Sequence, residues 1–392
     1  MENRPYPDAR AFAMKTEFSR RTFLSGVGGT LLVSPFLHKN ASLIRKGPSS
    51  TNDSREPNSL KEIADRHGIL YGAAATKTHL SSDQDFANAF IEQCGILVPE
   101  VELKWDALRP APDVFNFQPA DWLEKFAARN QMKFRGHPLV WYQSLPKWFD
   151  SYASPQNARE LMLNHISTVV RHYAGKVHSW DVVNEALDPN EKRPDGLRSK
   201  PWVNLVGPDY IDDAFRAAAA ADPKAMLVWN ENHLETREDW AQAKREAMLR
   251  NLKLRLQRSV PIHAIGLQSH LPGTSPTFNC PEFVSFLRAV SDLGLKVIIS
   301  ELDVIDSDLP ADAANRDQVV ANVYFDYLST VLHSSMVPAV LTWGISNRYT
   351  WIAGYKPRKD NAKARPLPFD EDLKPSPAWS AMAKAFERKG AR

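Results

Sequence analysis

From Leu60 almost to the C-terminus, short apolar runs alternate with longer amphipathic ones, and this alternation limits the fold more than any other feature of the chain. Sheets built from hairpins bunch their strands together, whereas repeated strand–helix units make neighbouring strands parallel and cover them with helices. Eight apolar runs fit strands, beginning near Ile69, Ile96, Lys133, Val177, Met226, His263, Lys296 and Ala339. Amphipathic stretches at 85–93, 119–130, 208–221, 237–258, 281–293 and 315–332 fit helices between them. Eight parallel strands, each followed by a helix, close into an α/β fold of the TIM (β/α)8 barrel type, with residues 60–392 as its single domain. A doubly wound sheet is the competitor, but no Gly-x-Gly-x-x-Gly turn follows an early strand, and the Gly26–Gly29 cluster falls upstream of the repeat. A length of 392 residues suits either one barrel or two ordinary domains, so the alternation decides.

Upstream, Ser19-Arg20-Arg21-Thr22-Phe23-Leu24 precedes a modest apolar run from Val27 to Leu37, broken by Gly28, Gly29, Ser34 and Pro35. Paired arginines before an apolar segment too short to span a bilayer resemble a twin-arginine export signal. Residues 1–46 are therefore expected to be a signal peptide, 47–59 a Pro/Ser/Asn/Asp-rich linker, and the product periplasmic or extracellular with no stable membrane span. The charge balance agrees. Of 49 basic and 46 acidic side chains, residues 1–46 hold 8 and 3, leaving 41 against 43 for the remainder. A body with that balance has no bulk electrostatic attraction for nucleic acid. Cys94 and Cys280 lie too far apart in sequence for a metal cage or a disulfide framework. Both read as buried thiols, with one long-range bridge as the alternative.

In this type of barrel, chemistry gathers at the carboxyl ends of the strands. Nearly every apolar run here ends in polar or aromatic residues. The second gives Glu100, Glu102 and Lys104, the third His137 and Trp141, and the fourth Asn184-Glu185. The fifth gives Asn230-Glu231-Asn232, the sixth Gln268 and His270, the seventh Glu301 and Asp303, and the eighth Trp343. One such residue is ordinarily a hydrogen-bonded closure of a barrel layer; seven successive runs do not fit that explanation. His137, His233 and His270 lack the His-x-His spacing of a metal site. Lys104 sits among carboxylates, which disfavours the neutral amine a Schiff base needs. Glu185 and Glu301 remain. Strands three steps apart in eight subtend about 135°, so Cα atoms roughly 13 Å apart would bring inward-reaching carboxyls to about 5–6 Å. That gap suits direct attack by one carboxylate on an anomeric carbon, although a salt-bridge role for lone glutamates stays open.

At these residues the chain strongly resembles glycoside hydrolase family 10, the endo-β-1,4-xylanases. The likeness runs from about Leu60 to Phe386. It includes Lys104-Trp105-Asp106 with Phe115-Asn116-Phe117, Gly136-His137-Pro138-Leu139-Val140-Trp141, and the acid/base motif Trp180-Asp181-Val182-Val183-Asn184-Glu185. Gly266 to Leu271 resembles the family's Gln-x-His stretch and Ser300-Glu301-Leu302-Asp303 its nucleophile motif, while Trp343 and Trp351 recur at its spacing. Phe369-Asp370 with Pro375 to Trp379 is similar to its closing segment.

The resemblance implies Glu301 as nucleophile, oriented by His270 and Asp303, and Glu185 as acid/base, with Asn184 toward the sugar 2-hydroxyl. It implies Glu100, Lys104, His137, Trp141, Gln268, Trp343 and Trp351 as substrate contacts, with neither cofactor nor metal, and a xylan or xylo-oligosaccharide substrate acted on by a monomer. Several positions depart from the family pattern. Val101 stands for an asparagine, Tyr142 for a histidine, Gln143-Ser144 for the reverse order, Asn232-His233 for Tyr-Asn, and Ser346 for an arginine. These leave a related β-glycanase, or an enzyme of short oligosaccharides, as the alternative within the class, and a non-catalytic carbohydrate-binding barrel as the alternative outside it.

Overall fold

The computed structural model describes residues 59–274 and 278–389. The export-signal reading and nearly all of the linker fall outside them. Ser59 does not belong to the linker: it caps the first helix, Leu60–Arg66, its Oγ accepting from the Glu62 backbone N–H at 3.3 Å.

The strands are β1 (Leu70–Ala75), β2 (Ile96–Pro99), β3 (Lys133–Gly136), β4 (Val177–Asn184), β5 (Met226–Glu231), β6 (Ala264–Leu267), β7 (His270–Pro272), β8 (Lys296–Ile305) and β9 (Ala339–Thr342). Every pairing is parallel; β1 joins β2 and β9, and β6 pairs with both β5 and β8, which closes the sheet on itself. Since β6 and β7 both lie along β8, they are two parts of one stave, and the barrel has eight. Each stave begins within one residue of its expected start. The helices Gln84–Gln93, Gln118–Arg129, Tyr210–Ala221, Asp239–Gln257, Pro281–Asp292 and Ala313–Ser334 lie within two residues of the expected bounds. Ala158–His172 fills the interval between β3 and β4, and Pro377–Lys389 ends the described chain.

Strand period explains the two cores. In β2, Ile96 and Val98 turn into the barrel lumen with Ala74, Val228, Ala264, Ile298 and Leu341, while Leu97 faces the helices. The same split puts Ile298 inside, with Val297 and Ile299 outside. Covered on both faces, β8 is buried from Val297 through Val304, which is why Val297-Ile298-Ile299 is continuously apolar before the polar residues Ser300, Glu301 and Asp303. Cys94 and Cys280 are both buried, unpaired thiols, the first of the two sequence readings. Among the described residues no helix is long and apolar enough to cross a membrane.

Candidate active site

A regular strand sends successive side chains to opposite faces, yet the site uses consecutive residues twice. On β8, Ser300 Oγ donates to Asn230 Oδ1 at 2.6 Å, and Glu301 Oε1 accepts from Nδ2 of the same asparagine at 2.7 Å. The β8–β9 register shifts between Ile299 and Leu302, and that irregularity turns both side chains inward. After β4, Glu185 adopts a left-handed backbone, φ +54°, which brings it beside Asn184: Gln268 Nε2 donates to Asn184 Oδ1 at 3.1 Å and to Glu185 Oε1 at 2.9 Å. Asn230 Nδ2 also donates to Asn184 Oδ1, at 2.8 Å. One amide network thus runs from Glu185 through Gln268, Asn184 and Asn230 to Glu301.

Glu301 sits between two histidines, each backed by an aspartate. His270 places Nε2 3.3 Å from Glu301 Oε2 and Nδ1 3.0 Å from Asp303 Oδ1, and Trp351 Nε1–H donates to the other Asp303 oxygen at 2.7 Å. His137 Nδ1 is 2.9 Å from Asp181 Oδ2 and 3.8 Å from Glu301 Oε1, and Asp181 is further bound by Arg135. Burial opposes the charge on Glu301, but attraction to His137, the hydrogen bond and charge of His270, and the Asn230 amide override it, holding the carboxyl at about 2. Burial likewise disfavours the cation of His270, yet Asp303 and Glu301 raise it to about 10. Carboxylates accept at both ring nitrogens, so both N–H groups donate.

Glu185 differs in kind. Only 2% exposed, it is pushed up from the ordinary carboxyl range, first by burial and also by Glu301; the Gln268 hydrogen bond, Lys244 and Arg198 pull the other way. Its Oε2 takes no hydrogen bond from the described residues. Two buried carboxyls joined by one network are therefore pushed in opposite directions, Glu301 down and Glu185 up, the separation that a nucleophile and a general acid require.

Trp343 packs its ring edge-to-face against both histidines, 5.2 Å from His137 and 6.3 Å from His270, and Trp351 lies 4.8 Å from His270. Lys104 Nζ lies 5.3 Å over the Trp141 ring, and Trp141 is 6.5 Å from His137. Glu100 joins this side through Lys104: burial raises it to about 7, with Lys104 opposing. Gln268, expected to contact sugar hydroxyls, donates from its amide nitrogen to Asn184 and Glu185, and its Oε1 takes no hydrogen bond from the described residues.

Sequence reading assigned no site role to Asp181, Arg135, Asn230 or Ser300. The departures are now located. Val101 is 38% exposed, Tyr142 underlies the Arg198 guanidinium, and Asn232 Oδ1 accepts from Lys244, which is ion-paired with Glu231 at 2.8 Å. His233 packs on Trp240, and Ser346 bonds the Asp370 carbonyl. Tyr355, unremarked in the sequence, stacks on Trp351 at 4.6 Å.

The model for glycosyl hydrolase family 10 matches residues 59–385. Endo-1,4-beta-xylanase B of Thermotoga neapolitana is 31% identical over 333 residues, covering 84% of this chain and 92% of the relative. The beta-1,4-xylanase of Dictyoglomus thermophilum is 33% identical over 337 residues, covering 83% and 90%. Among solved structures, xylanase 10B of Thermotoga petrophila RKU-1 in complex with xylobiose superposes with a TM-score of 0.77 at 31% identity, covering 86% of this chain and 99% of that one. Matched along the whole barrel by that family, the chain belongs to glycoside hydrolase family 10.

Proposed function

We propose that the protein is an exported, retaining endo-β-1,4-xylanase that cleaves the xylan backbone by double displacement. The observation that carries this reading is the pair of buried carboxyls, Glu301 and Glu185, held on one hydrogen-bond network whose surroundings push the first down and the second up. Names of the relatives support the substrate: the proteins from T. neapolitana and D. thermophilum are xylanases, and the T. petrophila structure holds xylobiose. In the first step Glu301 attacks the anomeric carbon, the bond to the leaving oxygen breaks, and Glu185 gives that oxygen its proton. In the second, Glu185 takes a proton from water, whose oxygen attacks the same carbon and frees Glu301. Two inversions return the original configuration. Asn184, tied down by Asn230 and Gln268, is suited to the 2-hydroxyl, where a hydrogen bond strengthens toward the transition state. Trp141, Trp343 and Trp351 offer ring faces to the pyranoses, and Lys104, His137 and Glu100 offer polar contacts.

The test compares Glu301→Ala and Glu185→Ala on xylan and on an aryl xylobioside with a good leaving group. Both variants lose several orders of magnitude on xylan. Glu185→Ala keeps cleavage of the activated aryl substrate, whereas Glu301→Ala is rescued only by azide, giving the product of inverted configuration. Wild-type rates in either variant on xylan would refute the assignment.

A further inference from the structure

The left-handed backbone at Glu185 is a conformation that side chains with a Cβ adopt seldom, and two bonds pin it. Its N–H donates to the Asn230 carbonyl at 2.9 Å, and its carbonyl accepts from Arg198 Nε at 3.2 Å. Asn230 already belongs to the site; Arg198 has no part in the chemistry derived above. The chain leaving Glu185 returns to it: Leu187 bridges Leu197, Asp188 N–H donates to the Gly196 carbonyl at 3.0 Å, and Arg198 N–H to the Ala186 carbonyl at 2.7 Å. The guanidinium is then held from two further sides. Nη1 meets Asp188 at 2.8 Å, and the group lies 3.9 Å over the ring of Tyr142, whose hydroxyl accepts from Gln143 at 2.6 Å. Tyr142 stands where the resemblance implies a histidine, and its larger ring carries the guanidinium.

We propose that Arg198 is a positioning residue for Glu185, locking its backbone through the carbonyl and, braced on Tyr142 and Asp188, keeping a fixed positive charge beside its side chain. The inference rests on Glu185 being the acid/base. The other groups facing Glu185 are Glu301 from β8, which favours its protonated form, and Lys244 from Asp239–Gln257, which favours its ionised form. The phenols of Tyr142 and Tyr355 also face it, each pushed up by burial and then by Glu185 itself, hence neutral through the working range. Lys244 is already shared between Glu231 and Asn232. Arg198 is thus the second cation restraining a carboxyl that burial drives upward. A Glu185 left to rise unopposed still donates its proton in the first step but is harder to ionise for the second.

The experiment follows kcat/KM and kcat against pH on a xylo-oligosaccharide and on an activated aryl xylobioside, with thermal melting as the control for folding. In Arg198→Met the alkaline limb moves up by about one pH unit on the oligosaccharide. Its kcat falls more than tenfold and KM falls with it, because a slowed second step lets the glycosyl-enzyme accumulate. Arg198→Lys, which keeps the charge but not the planar fork, restores the limb and only part of kcat. Tyr142→Leu shifts the limb in the same direction by less, and carries the test if Arg198→Met does not fold. A wild-type alkaline limb in a folded Arg198→Met overturns the proposal, as does a fall in kcat that is accounted for by a lower melting temperature. Glu185→Gln in the same assay separates the two levels. If it shows no dependence on leaving group, the acid/base reading itself fails; if it shows that dependence while Arg198→Met leaves the limb in place, only the role of Arg198 fails.

Discussion

Glu301 meets two histidines, each backed by an aspartate, and this surround rather than the carboxyl itself keeps it charged. The sign of the pH effect follows. In the proposed mechanism attack requires the ionised carboxylate, and losing the His270 cation removes one of the influences lowering its pKa. In His270→Asn the acidic limb of kcat/KM moves to higher pH, by about 1–3 units, because a nearby opposite charge shifts a carboxyl by that much. A pH–rate profile on an activated aryl substrate, for which the first step needs no acid, reads this limb; an unmoved limb would contradict the electrostatic role. Glu185, Glu301, His270 and Asp303 were legible in the sequence because they interrupt or end apolar runs. Asp181 and Arg135 were not assigned, although a carboxylate inside the run from Trp180 to Asn184 already signalled the need for a buried partner. Which partner it finds, 46 residues away on another stave, is a matter of register that spacing does not encode.

At the scale of elements, the eight staves and six helices were readable because each strand is covered on both faces and each helix on one, so hydropathy marks their ends. The local departures from regularity were not. The shift in β8 between Ile299 and Leu302, the left-handed residue after β4, and the break of the sixth stave at Gln268-Ser269, where Ser269 has φ +65°, leave no composition signal. Yet these irregularities let neighbouring residues share one site. Close approach of strands matters equally. A Cβ built on Gly266 of β6 would lie 2.0 Å from Asn230 Oδ1, the amide that holds Glu301, Asn184 and Ser300. Gly266→Ala therefore displaces Asn230. The expected result is a loss of about 1–3 kcal/mol of stability, typical of overpacking, with kcat falling more than KM rises. Denaturant unfolding and steady-state kinetics check it; a variant with native stability and turnover would show that the amide network has slack to spare.

For the whole molecule, charge separates the chain at its N-terminal end, with the excess of basic residues in 1–46 and a nearly balanced body behind it. If Arg20-Arg21 is an export address, replacing both with lysine strands folded, active enzyme in the cytoplasm, since the signal is read as paired arginines. Fractionation with activity assays measures this, and unchanged export would refute it. The barrel itself brings residues from staves far apart in sequence onto one network, and the central claim of the proposed mechanism is a covalent sugar on Glu301. The most direct measurement is to inactivate the protein with a 2-deoxy-2-fluoro xylobioside bearing a dinitrophenolate leaving group, which forms the intermediate but hydrolyses it slowly, and to locate the added mass by peptide sequencing. The expected result is one fluoro-xylobiosyl unit per chain, on the peptide containing Ser300-Glu301-Leu302-Asp303 and on Glu301 within it. Turnover of the reagent without accumulation of an adduct, or an adduct on any other side chain, would contradict it.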